Sequence, residues 1–176
     1  MNGSATVVRS GCMAKDADMI LSEFILLGIG GKELSEENAA QTAKALNIIQ
    51  PDFIRVHATG IKLESKLGEF VRDGSFTLQS EEEIVIEQKL FLQQLHEMDS
   101  YYVNEHIVNL LLEVRGNLRT EKQEMLSTID RFLTLPPDER LLFAVGRRLN
   151  IFFRLDDLKK PKLHQKAGAK PATDFK

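Results

Sequence analysis

The chain has 176 residues, 43% of them hydrophobic and 28% charged, a length and balance that fit one globular domain and exclude disorder over most of it. The longest apolar stretch, Phe24-Ile25-Leu26-Leu27-Gly28-Ile29, is far too short to cross a bilayer, and residues 1–18 lack the apolar core of a signal peptide. Cys12 is the one cysteine, so the chain forms no internal disulfide and its thiols alone hold neither an iron–sulfur cluster nor a structural zinc. The expected address is the cytoplasm.

The net charge of −3 is unevenly distributed: residues 159–176 carry six lysines against one acid, Asp174, and the body before them is acidic. An acidic body repels phosphate backbones, so neither nucleic acid nor a membrane is an expected partner. The lysine-rich end, with Pro161 and Pro171 and no apolar periodicity, reads as a basic disordered tail.

In chain order, an apolar run ending at Gly30-Gly31 predicts a buried strand within residues 20–29, strongest over 23–29. Ser35 reads as the N-cap of an alanine-rich helix, with Glu36 and Glu37 in its first turn and Ala39, Ala43 and Leu46 on one face. That helix stops before Pro51, and Phe53–Ala58 follows as a second strand. Strand, glycine loop, helix and strand make a βαβ unit, hence a parallel sheet with helical cover.

A short helical turn over Leu67–Val71 ends at Gly74, and Ser80 with Glu83 forms a capping box for a long helix bearing Ile84, Phe91, Leu95 and Met98. Residues 100–103 suit a third strand. The spacing of Ile107, Leu110, Leu111 and Val114 predicts a helix stopped by Gly116. Thr120 with Gln123 reads as a second capping box, for a helix bearing Met125, Ile129, Phe132 and Leu133. Pro137 opens the last helix, with Leu141, Val145 and Leu149 on its face. Met13, Met19, Met98 and Met125 read as core filler. The expected organisation is an α/β unit over residues 1–104, a helical section over 105–158 and the tail.

Three segments are candidate sites. Gly28-Ile29-Gly30-Gly31-Lys32-Glu33 lies between a strand and a helix, where α/β proteins bind ligands. It lacks the Gly-Lys-Ser/Thr ending of a phosphate loop and the third glycine of a dinucleotide fingerprint. Its glycines suit either close approach to a flat ligand pressed by Ile29 or a tight turn with no ligand. Arg55 and His57 alternate with Ile54 and Val56 and so share one strand face, pointing into a polar cavity or pairing at a strand end with an acid such as Asp52. His106 and Asn109, three apart on the predicted helix, share a face toward a ligand, or Asn104 and Asn109 serve as caps. The sequence offers no metal-ligand pattern and no nucleophile elbow, and no catalytic residue is assigned.

These segments resemble the radical SAM enzymes, in the C-terminal half of their barrel. Leu26 through Glu37 is similar to that family's Gly-x-Ile-x-Gly-x-x-Glu region after the fifth strand, and Asn47-x-x-x-Pro51-Asp52-Phe53-Ile54-Arg55-Val56 to the run into the sixth strand. His106-x-x-Asn109-Leu110-Leu111, Gly116-x-Leu118, Glu121-Lys122, Leu135-Pro136-Pro137-x-Glu139-Arg140 and Gly146-Arg147-Arg148 resemble the C-terminal section of a bacterial group within it. The resemblance implies a partial, half TIM-like βα barrel with a helical C-terminal section. It implies an S-adenosylmethionine site at Gly28, Ile29, Gly30, Gly31, Glu33, Arg55, Val56 and His57, and a substrate side at His106 and Asn109. The family's Cys-x-x-x-Cys-x-x-Cys motif, whose thiolates hold a 4Fe-4S cluster, is not in this sequence. The expectation is therefore a C-terminal fragment that is not catalytic alone, with self-association or a complementary N-terminal half as its partner. The alternative is a non-catalytic α/β module that binds a protein.

Overall fold

Ile25 and Leu27 alternate with Phe24 and Leu26, and Ile54 and Val56 with Arg55 and His57; at a side-chain period of two, each run presents two unlike faces. In the computed structural model, which describes residues 3–62 and 64–163, these runs are the parallel neighbours β1 (Ser22–Leu27) and β2 (Phe53–Ala58). The short β3 (Tyr101–Val103) lies parallel to β2, and β4 (Gly116–Asn117) returns antiparallel to β3. The spatial order β1-β2-β3-β4 follows the chain order, so the fold is α/β on an open, mostly parallel sheet.

Strands laid down in one direction through right-handed crossovers keep their helices on one side. The first crossover is α2 (Ser35–Ile49); the second is α3 (Lys66–Arg72) followed by α4 (Glu81–Gln94). Helices α2 and α4 pack on each other, and α1 (Gly3–Asp16) packs on α2. Ile25, Leu27, Ile54, Val56 and Tyr102 point into this layer and join Ala39, Ala43, Leu46, Val85, Phe91 and Leu92 in the core. The alanines let α2 approach closely. The sequence's buried strand is thus buried on one face only: Phe24 and Leu26 are exposed, because no helix among the described residues covers the other side.

The core continues through α5 (Lys122–Leu133), α6 (Pro137–Arg148) and a 3₁₀ helix (Leu155–Lys159), with Ile129, Phe132, Phe143 and Phe152 buried. The capping box forms, Ser80 Oγ accepting from Glu83 N and Glu83 from Ser80 N. Pro137 opens α6 as expected.

Several expectations are corrected. Ser35 is the first helical residue and not the cap; its hydroxyl donates to Glu87 Oε2 at 2.8 Å. Residues 107–114 form turns and no helix, because side chains take their carbonyls: Asn104 Nδ2 donates to Leu111 O, and Arg147 to Ile107 O, Asn109 O and Leu110 O. A helix would have needed those acceptors itself. Gly116 is accordingly a strand residue, its φ of 152° leaving room for Glu121, on which a Cβ would close to 2.8 Å. The Thr120 cap does not form, since α5 starts behind Glu121, whose carboxyl accepts from Asn117 N. In α6 the buried face is Phe143, Gly146 and Arg147, while Leu141 is exposed, because Gly146 lets the Phe152 ring lie against the helix. Met98 and Met125 are core, but Met13 and Met19 are exposed. Of the basic end, Lys159 and Lys160 are ordered by ion pairs to Asp156 and Asp157; residues 164–176 lie outside the described residues. Among the described residues no helix is long and apolar enough to cross a membrane.

Candidate functional site

The parallel strands end at one edge of the sheet, where the loops after β1, β2 and β3 meet. The glycine loop after β1 is held by the chain itself. Gly28 and Gly31 take φ of 81° and 62°, which glycine adopts without strain. Gly28 N donates to Glu87 Oε1 at 3.1 Å, and Lys32 N to Thr77 O at 3.0 Å. A Cβ on Gly31 would meet Thr77 O at 2.9 Å, and one on Gly30 would meet Leu34 O at the same distance. The close approach these glycines permit is therefore to neighbouring backbone. Glu33 turns to the same segment, and the Thr77 hydroxyl first of all holds its carboxyl below the usual range. Lys32 pairs with Glu83 at 2.8 Å, fastening the loop to the start of α4. Ile29 stands half exposed at the tip, whereas Val56 is buried under the helices, on the opposite face from Arg55 and His57.

Glu87 is the residue that sequence reasoning missed. It is fully buried in α4 and receives hydrogen bonds from Gly28 N, Ser35 Oγ and Asn38 Nδ2, the last at 2.7 Å. The signal was present: Glu87 lies three residues after Ile84 and four before Phe91, on the apolar stripe of its own helix. A carboxyl group at such a position needs donors brought by other elements. It fixes the loop after β1 and the first turn of α2 together.

His57 and His106, read separately in the sequence, are brought together. Their rings stack with centroids 4.1 Å apart and planes inclined by 21°, and Phe24 meets His57 edge-on at 5.3 Å. His106 Nδ1 is buried without a hydrogen-bond partner. Burial, then the neighbouring His106 and Arg55, push the His57 imidazole below its ordinary pKa. Two stacked rings do not aim their lone pairs at one point, and among the described residues no group of three metal-ligating side chains occurs. Arg55 occupies the same face. Its Nε donates to Ser22 Oγ at 3.1 Å across β1, its guanidinium carbon lies 5.8 Å from the Phe53 ring centroid, and it has no ion pair among the described residues. Asp52, the acid weighed as its partner, pairs instead with Lys15.

Asn109 turns away from the histidines. Its Oδ1 accepts from Ala58 N at 2.8 Å and its Nδ2 donates to Val56 O at 2.7 Å and to Asn104 Oδ1. The side chain thus continues the β2 ladder where β3 has ended, and the two asparagines brace the sheet without capping a helix. Arg147 closes the same loop, its buried guanidinium solvated by the carbonyls of residues 107, 109, 110 and 152. Burial pushes its pKa down, with Arg148 acting in the same sense. A small cavity of about 90 Å³ lies among Leu27, Ala58, Thr59, Ile84 and Asn109. A wider hollow of about 530 Å³ opens beside Tyr101 and Phe153, its Arg115 and Arg131 paired with Glu105 and Asp156.

The face of the sheet away from α2 and α4 carries exposed apolar side chains. Phe24 is 64% exposed, Leu26 47% and Tyr101 41%, with Phe53, Arg55 and His57 half-buried between them. The register sets Phe24 beside Arg55, Leu26 beside His57 and Phe53 beside Tyr101. The chain matches no family model, no curated protein and no solved structure.

Proposed function

We propose that the chain is a protein-docking α/β module, not catalytic by itself, whose open sheet face is covered by another polypeptide segment. The observation that carries this reading is the asymmetry of the sheet. One face is closed by α2 and α4, and the other carries Phe24, Leu26, Phe53 and Tyr101, with Arg55 and His57 among them. Contiguous apolar surface beyond a few hundred Å² marks an interaction site on soluble proteins. Strands wound in one direction with helices on one side also suit a half βα barrel, in which the open face is the interior that a second half fills. The buried polar side chains at the strand ends favour binding over catalysis, since Glu87, Asn104, Asn109 and Arg147 all bond to their own chain.

Sedimentation equilibrium of the full chain at rising concentration tests this. Weak, reversible self-association at about 0.1–1 mM is expected, because in the purified sample a second copy is the one cover on offer. Leu26→Lys removes it without lowering the melting temperature. A monomer at every concentration, with Leu26→Lys indistinguishable from it, would contradict the reading.

The radical SAM resemblance supplies a second reading, favoured by the glycine loop standing at the C-terminal end of β1. Three thiolates are needed for the cluster and the sequence has one, on α1, so this chain's donor set does not fit it. The glycine loop is also filled by Thr77 and Leu34, which leaves the adenine no cradle. Calorimetry with S-adenosylmethionine is expected to give no binding tighter than about 1 mM. Micromolar binding would restore the nucleotide site.

A further inference from the structure

The outer edge of β1 carries the docking reading one step further. Leu21 O accepts from Phe53 N and Leu27 O from Thr59 N, so the odd-numbered residues of β1 turn their backbone groups toward β2. Ser22, Phe24 and Leu26 therefore turn theirs outward, where no described strand lies. Of these groups Leu26 O receives a bond, from Asn38 Nδ2 at 3.2 Å. The edge has no proline and no lysine; its one charged residue is Glu23, with the inward parity of Ile25.

Helix α2 reaches over this edge. Asn38 in its first turns bonds both Leu26 O and Glu87 of α4, and Ile49 at its far end packs on Gly11 of α1. Lys15 in the last turn of α1 pairs with Asp52, just before β2.

The occupant's chemistry follows from charge. Arg55 reaches across β1 to Ser22, has no carboxylate partner among the described residues, and shares the open face with His57 and His106. No acidic side chain of β1 or β2 lies on that face: Glu23 has the inward parity of Ile25. A second copy of the chain brings the same unpaired Arg55 to the edge and no carboxylate for it, so it supports only the weak self-association expected above. We infer that the β1 edge takes an extended, acidic peptide segment of a partner as a fifth strand, with a carboxylate of that segment meeting Arg55. This rests on the docking reading and names its occupant.

The probe is a capped synthetic peptide of about eight residues alternating valine with aspartate, with a lysine-for-aspartate peptide as control. Each is titrated into the isotope-labelled full chain by NMR. The aspartate peptide is expected to bind about ten-fold tighter than the control, shifting the amides of Ser22, Phe24 and Leu26. Arg55→Gln removes the preference while the melt stays unchanged. Phe24→Pro, which blocks the outward N–H and spares the β2 ladder, abolishes binding, whereas Phe24→Ser retains the N–H and most of the affinity. Should the proline variant unfold, the Arg55→Gln and Phe24→Ser arms still decide. Equal binding of both peptides, or no binding of either at about 1 mM, overturns strand addition. Shifts confined to His57 and Tyr101 with the β1 amides unmoved overturn it too, while leaving the docking face intact.

Discussion

On the helical side of the sheet Ile54 and Val56 are at most 1% exposed beneath α2 and α4, while Phe24, one strand across and on the other side, is 64% exposed. Both faces are rich in large apolar side chains, and the alternation along β1 and β2 is the same pattern read twice. They differ in what covers them. Hydrophobicity in a strand states that a face will be buried, and topology decides whether this chain or another does it.

Substitutions on the two faces should separate widely. Phe91→Ala, beneath the covered face, is expected to cost about 3–5 kcal/mol of stability, measured by urea unfolding. Phe24→Ala on the open face should stay within about 0.5 kcal/mol. Comparable losses would erase the distinction between the faces.

A substitution at the buried carboxyl sharpens it. Glu87→Ala removes the acceptor of Gly28 N, Ser35 Oγ and Asn38 Nδ2, and is expected to cost about 1–3 kcal/mol. Exchange protection should fall first at the Gly28 amide. An unchanged melt would mean that the glycine loop is held without Glu87.

The smallest effect is a titration. Because burial, with His106 and Arg55 beside it, lowers the folded pKa of His57, the unfolded chain binds the proton more readily. The contribution of His57 to stability is therefore complete above its unfolded pKa of roughly 6.5. It is lost as the pH falls through that value toward the folded one. His57→Phe should flatten this part of the pH profile while keeping the ring stacked on His106. A profile that retains its slope would assign the titration elsewhere.

Much of the frame was legible because it rests on local rules. The Phe53–Ala58 strand, the Ser80 capping box and the Pro137 helix start each follow from a few adjacent residues. What the sequence hid depends on partners distant in the chain. Residues 107–114 have helical spacing, yet Arg147 and Asn104 draw off their carbonyls. His57 and His106 were each visible as candidates, but their stacking required the β2–β3 register. Met13 and Met19 have core composition without a core beside them. The open face was foreshadowed by Arg55 and His57, charged-capable residues that a strand covered on both sides would rarely carry.

The asymmetry of the sheet is tested most directly by fluorescence titration of the folded chain with an anionic anilinonaphthalene dye at pH 7.5, comparing the natural sequence with Leu26→Lys. Saturable dye binding to the folded protein is expected, weakened about ten-fold by the substitution, with both proteins melting at the same temperature. Equal binding by the two folded proteins, or none by the natural sequence, would contradict it.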